Sequence, residues 1–138
     1  MSNVIAVSIN TSYPGAEKLG LLTPSDYGGK IIYDCARGRW KIGKDKLGKD
    51  RRNLKYVIAV YRNTVKGVFE VDGIWYEGYL KNPDWRKDQR PENATTHMGV
   101  WSFDGKDISA TSKGKEIAMQ WSENHKLCCP TGYMDFVE

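Results

Sequence analysis

The chain has 138 residues, 21 Lys plus Arg against 17 Asp plus Glu, and a net charge of +4, a length that predicts a single domain. With 40% hydrophobic and 28% charged residues, it holds enough apolar material for a core, and its mixed charge excludes a disordered chain. The longest apolar run, Tyr56-Val-Ile-Ala-Val-Tyr61, falls far short of the ~18 residues of a membrane span. The start, Met1-Ser-Asn-Val-Ile-Ala-Val-Ser8, lacks the basic segment and long apolar stretch of a secretory signal, so a cytoplasmic protein is expected.

Val4-Ile-Ala-Val-Ser-Ile9 is a β-prone run that stops at the turn formers Asn10-Thr-Ser-Tyr-Pro-Gly15, which predicts a first strand. Residues 16–22 fit a turn or two of helix, closed by Thr23-Pro24 and Gly28-Gly29. Lys30-Ile-Ile-Tyr-Asp34 reads as a second strand. Residues 37–52 then hold eight basic and two acidic side chains, a local charge of +6 that exceeds the net charge of the chain. Gly38, Gly43 and Gly48 interrupt this block, and each costs ~1 kcal/mol inside a helix. A short helix near 44–52, flanked by loops, is the expectation.

The clearest pattern is residues 55–71, two β-branched and aromatic runs around Arg62-Asn63-Thr64, which predicts a β-hairpin. Its first arm is apolar on both faces, as a central strand requires. The second alternates Val65, Gly67, Phe69 and Val71 against Lys66, Val68 and Glu70. A further strand is expected at Ile74-Trp-Tyr-Glu-Gly-Tyr79, a long polar surface loop over 80–96, and a strand at Met98-Gly-Val-Trp-Ser-Phe103 followed by an Asp104-Gly105 turn. Ile117, Ala118 and Trp121 recur at helical spacing within 113–124, predicting one amphipathic helix. Gly132-Tyr-Met-Asp-Phe-Val137 closes the sheet as a last strand. No repeat or linker divides the chain. These elements make an α+β single domain with a mixed, mostly antiparallel β-sheet and peripheral helices: residues 1–29 supply an N-terminal strand and connecting segment, and 30–138 a β-rich core.

Ala36-Arg37-Gly38-Arg39-Trp40-Lys41-Ile42, Tyr56-Val-Ile-Ala-Val-Tyr61, Lys66-Gly-Val-Phe-Glu-Val71 with Trp75, and Trp101-Ser-Phe-Asp-Gly105 carry a resemblance. From about residue 30 onward the chain resembles an uncharacterised family of small bacterial and phage domains, also found appended to GIY-YIG nuclease domains. The order of an early Trp, a central apolar strand and a second strand leaving it is similar to PUA-like barrels of the ASCH and EVE type. That likeness implies a pseudo-barrel with peripheral helices, whose general use is to grip nucleic acid or a nucleotide-like base in a cleft. Where a short Asn-Pro segment is expected before the final strand, this chain has Leu127-Cys-Cys-Pro-Thr131, so that part of the cleft differs.

Several chemistries find little support. Cys35, Cys128 and Cys129 are an odd count with two neighbours, which argues against a disulfide framework. A zinc site would need His125, Cys128, Cys129 and Cys35 together, and small buried thiols explain the cysteines more simply. A GIY-YIG nuclease needs paired tyrosine motifs that Ile31-Ile-Tyr33 and Arg39-Trp-Lys-Ile-Gly43 echo only superficially. With two histidines and no Gly-x-Ser-x-Gly elbow, a hydrolytic triad has no basis and His97 reads as a solvated side chain. Glu70, Asp72, Glu77, Asp104 and Asp107 fit turn chemistry better than paired acid–base work. The glycines of the basic block match neither phosphate-loop pattern.

What remains is positive charge interleaved with aromatic rings. Arg37, Arg39, Lys41, Arg51 and Arg52 suit phosphates, and Trp40, Tyr61, Trp75 and Trp85 suit stacking on bases. Against this stands the simpler reading that Trp75 and Trp101 are core residues and the basic run is a solvated face. The primary expectation is a non-catalytic binding module for a nucleic acid or small nucleotide-type anion, with Arg37, Arg39 and Trp40 at the mouth of a cleft and Lys41, Arg51 and Arg52 capturing charge. An alternative is a phage-type anti-defence protein that sequesters a nucleotide signal or binds and inhibits a host protein. A third is an unrecognised nuclease or hydrolase dependent on Glu70 or His125. No cofactor and no membrane partner are expected, and an exposed sheet edge would favour a homo-oligomer.

Overall fold

The structure, a computed structural model, describes residues 2–10, 32, 33, 35, 36, 38–77, 100–127 and 129–137. The strands are β1 (Val4–Ser8), β2 (Gly38–Lys41), β3 (Tyr56–Tyr61), β4 (Thr64–Val71), β5 (Tyr76–Glu77), β6 (Val100–Ser102), β7 (Gly105–Asp107) and β8 (Thr131–Met134). The helices with both ends described are α1 (Lys44–Leu47) and α2 (Ser112–Asn124). A five-stranded sheet runs β7-β4-β3-β1-β8 and a three-stranded sheet runs β2-β6-β5. All pairs are antiparallel except β1 with β3. The fold is therefore α+β, and both sheets are open: no closed barrel forms among the described residues.

Apolar residues on both faces put β3 at the centre of the larger sheet. Val57 and Ala59 join Ile5, Val7, Phe69, Trp75, Trp101 and Phe103 in one cluster, while Tyr56, Ile58 and Val60 join Val4, Ala6, Val68, Ile117 and Trp121 in the other, as the two-residue period of a strand requires. The first face is covered by the small sheet and α1, the second by α2, so the five-stranded sheet is the middle layer. Arg62 and Asn63 both have positive φ, 48° and 63°, the signature of a tight type I′ hairpin turn. Among the described residues no helix is long and apolar enough to cross a membrane.

Six expectations change, the first being the last strand, which spans Thr131–Met134 and leaves residues 135–137 outside it. Ile32 and Tyr33, read as part of a strand, are helical: Ile32 packs in the first cluster and the Tyr33 hydroxyl accepts from the Gly105 N–H at 2.9 Å, tertiary contacts that outweigh β-propensity. The helix in the basic block ends at Leu47, because Gly48 adopts φ 82° and ψ 165°. Val65 does not share a face with Gly67 and Phe69, since a register shift between Ala59 and Val60 turns it onto the α2 side. The strand expected over 74–79 is described as strand only at Tyr76–Glu77. Gly105 is no turn residue but opens β7, crossing from the small sheet to pair with β4. A Cβ at Gly105 would collide with the Glu70 carbonyl. The helical turn expected over 16–22 and the loop over 80–96 lie outside the described residues.

Candidate functional site

The basic block folds around one short helix. Buried Ile42 and Leu47 bind α1 to the core, which leaves Lys44, Asp45 and Lys49 facing solvent. Beyond Gly48 the chain turns back. The Arg51 N–H donates to the Gly48 carbonyl at 3.1 Å, the Asn53 N–H to the Leu47 carbonyl at 3.1 Å, and the Trp75 N–H to the Arg51 carbonyl at 3.4 Å. Arg51 itself has φ 58°, a left-handed conformation uncommon for a side-chain-bearing residue. The Trp75 indole is fully buried and its Nε1–H donates to the Leu54 carbonyl at 3.0 Å. The loop 48–54 is thus pinned by its backbone, with the Lys49 and Arg52 side chains exposed and Arg51 half-buried.

Beside this loop stands Trp101 on β6, register partner of Trp40 on β2. The Arg51 guanidinium lies over the Trp101 ring, 5.9 Å from its centroid, within reach of a cation–π contact. Lys44, Leu47, Gly48, Lys49, Arg51 and Trp101 together line a concavity of about 220 Å³. Three of these residues are cationic and, among the described residues, no carboxylate lines it. Like charges on a low-dielectric wall reinforce one another's potential. Lys46 points elsewhere: its ammonium sits 4.8 Å from the Tyr133 ring centroid. Burial pushes the Tyr133 phenol above its ordinary range, opposed by a hydrogen bond with Thr131 and reinforced by the Asp45 carboxylate.

Of the residues singled out in the sequence, Arg51 lines the concavity and exposed Arg52 follows it in the same loop. Lys41 is exposed at the end of β2. Trp40 is half-buried, its Nε1–H donating to the Ala36 carbonyl at 2.7 Å and its ring packed on the first cluster. Tyr61 sits at the other end of β3 from this loop, under the Arg62 guanidinium at 5.2 Å. Trp75 leaves the candidate set, because a fully buried ring has no face to offer a ligand. Arg37, Trp85 and the Arg39 side chain lie outside the described residues. Lys44 and Lys49 were hidden among eight similar cations, and Trp101, read as a core residue, is both core and wall. Only the pairing of β2 with β6 brings it beside the basic block.

The other chemistries find no assembled site. Among the described residues no group of three metal-ligating side chains converges. Cys35 is buried on the first face of the large sheet, whereas His125 stacks on Trp121 at the other, with ring centroids 4.6 Å apart. These two cannot share a metal, and Cys128 lies outside the described residues. Glu70 pairs with Lys106 at 3.2 Å, and Asp107 accepts from the Ser109 N–H at 2.8 Å, the local role expected of a turn aspartate. No family model matches the chain, and neither a curated protein nor a solved structure matches it.

Proposed function

We propose that the concavity beside Trp101 binds a nucleotide-type anion, its phosphate on Lys44, Lys49 and Arg51 and its flat ring against the indole. One observation carries this reading: three cations and an aromatic wall converge on one depression to which no described carboxylate contributes. Arginine and lysine bind phosphate through charge-assisted hydrogen bonds, and stacking of a base on an aromatic ring adds ~1–3 kcal/mol. The volume, about 220 Å³, is below the ~300–1,000 Å³ of pockets that enclose drug-sized ligands. It suits one ring with its phosphate at the rim, whether the nucleotide is free or one unit of a strand.

A thermal-shift panel of ribonucleotides, short RNA and short DNA, at low and moderate salt, tests the reading. A ligand at 100 times its Kd stabilises by ~2.7 kcal/mol, a shift of several degrees for a domain of this size. Stabilisation by a mononucleotide that persists in salt supports a small-ligand site. A response to polymers alone, lost as salt rises, supports a strand-binding site. No shift with any of them contradicts the reading.

A further inference from the structure

Trp101 lines the concavity, yet only 6% of it is exposed, and the Arg51 guanidinium already lies over its ring. A ligand ring and that guanidinium compete for one surface. The Arg51 backbone is held at both ends, by its N–H to Gly48 and its carbonyl to Trp75, while its side chain is half-buried and extends from that fixed point. The backbone is anchored at this point, and the long side chain extends beyond it.

On the nucleotide reading of this site, we infer that Arg51 exchanges partners when the ligand enters. Its guanidinium leaves the Trp101 ring for the ligand's phosphate, and the ligand's ring takes the vacated place on the indole. The exchange is downhill only if a phosphate is present. A cation–π contact on a ring only 6% exposed is worth a factor of roughly 5–30, whereas each hydrogen bond to a charged group is worth a factor of roughly 10–150 and a guanidinium makes two to one phosphate. A nucleoside must uncover Trp101 with no phosphate to receive the guanidinium, so Arg51 selects against unphosphorylated rings as well as for phosphorylated ones.

The test is equilibrium titration of the full chain and of Arg51→Ala with each ribonucleoside and its 5′-monophosphate, followed by the tryptophan indole resonances in NMR. Arg51→Gln, which keeps a polar side chain and loses the charge, serves as the second variant. The exchange predicts that both variants bind the monophosphate about 10-fold more weakly and the nucleoside at least about fivefold more tightly than the unaltered chain. Loss of both ligands in parallel would mean that Arg51 itself is the stacking platform, and it overturns the exchange while leaving the site in place. Nucleoside binding that does not improve in the variants overturns it equally. Failure of the unaltered chain to bind any monophosphate overturns the site, and the exchange with it.

Discussion

The Trp75 indole donates to the Leu54 carbonyl at 3.0 Å from a position with no solvent exposure, so a core ring fixes the far end of the loop that carries Arg51. Replacing Trp75 by Phe keeps much of the apolar volume and strands a buried carbonyl. The expected cost is about 2 kcal/mol, or roughly 8 °C in Tm. Denaturant unfolding of the variant checks it, with a lower midpoint and an unchanged slope as the predicted result.

Gly48 ends α1 in a conformation, φ 82° and ψ 165°, that L side chains rarely adopt, and a Cβ there would stand 2.6 Å from the Asn53 side chain. Gly48→Ala is expected to cost about 1–3 kcal/mol and to lower nucleotide affinity by disturbing the path to Arg51. A stability curve and a binding titration on the same preparation would show both losses together.

Tyr133 makes stability fall at high pH. Its phenol is raised by burial, so the folded protein holds that proton more tightly than the unfolded chain does. The resulting stability is complete below the ordinary tyrosine range near 10 and is lost as pH rises from there through the folded-state value. Tyr133→Phe is expected to flatten the alkaline limb of a stability–pH profile relative to the unaltered chain.

Thr111 caps α2, its hydroxyl accepting from the Gly114 N–H at 3.0 Å, and ties the cap to the preceding chain by donating to the Ile108 carbonyl at 2.6 Å. Thr111→Ala is expected to cost about 1 kcal/mol, and Thr111→Ser to restore most of it. Thermal unfolding of the pair measures the difference. Neither change should alter nucleotide binding, because α2 covers the face of the sheet opposite α1.

Much of the fold was legible where local and tertiary demands agree. The doubly apolar arm at Tyr56–Tyr61 predicted the central strand of the larger sheet, and Ile117 and Trp121 at helical spacing predicted the buried face of α2. The signal failed where long-range contacts overrule local preference. Ile32 and Tyr33 have strand-like side chains but are helical, and Gly105 reads as a turn residue until its close approach to Glu70 is known. In the candidate site, the excess charge of residues 37–52 is plain from composition, and Arg51 stands out in it as a phosphate ligand. Its companions Lys44 and Lys49 do not, because nothing local separates them from their neighbours. Trp101 is some 50 residues distant in sequence and reaches Arg51 only through strand pairing and loop folding.

The most direct measurement is an equilibrium titration with a ribonucleoside 5′-diphosphate, comparing the unaltered chain with Lys44→Glu/Lys49→Glu. Both lysines are exposed, so the double variant should unfold within about 0.5 kcal/mol per site of the original. The predicted result is saturable binding to the unaltered chain and at least about 100-fold weaker binding to the variant, from the loss of two charge-assisted phosphate contacts. Equal affinity in the two proteins would contradict the assignment of the concavity beside Trp101 as the anion site.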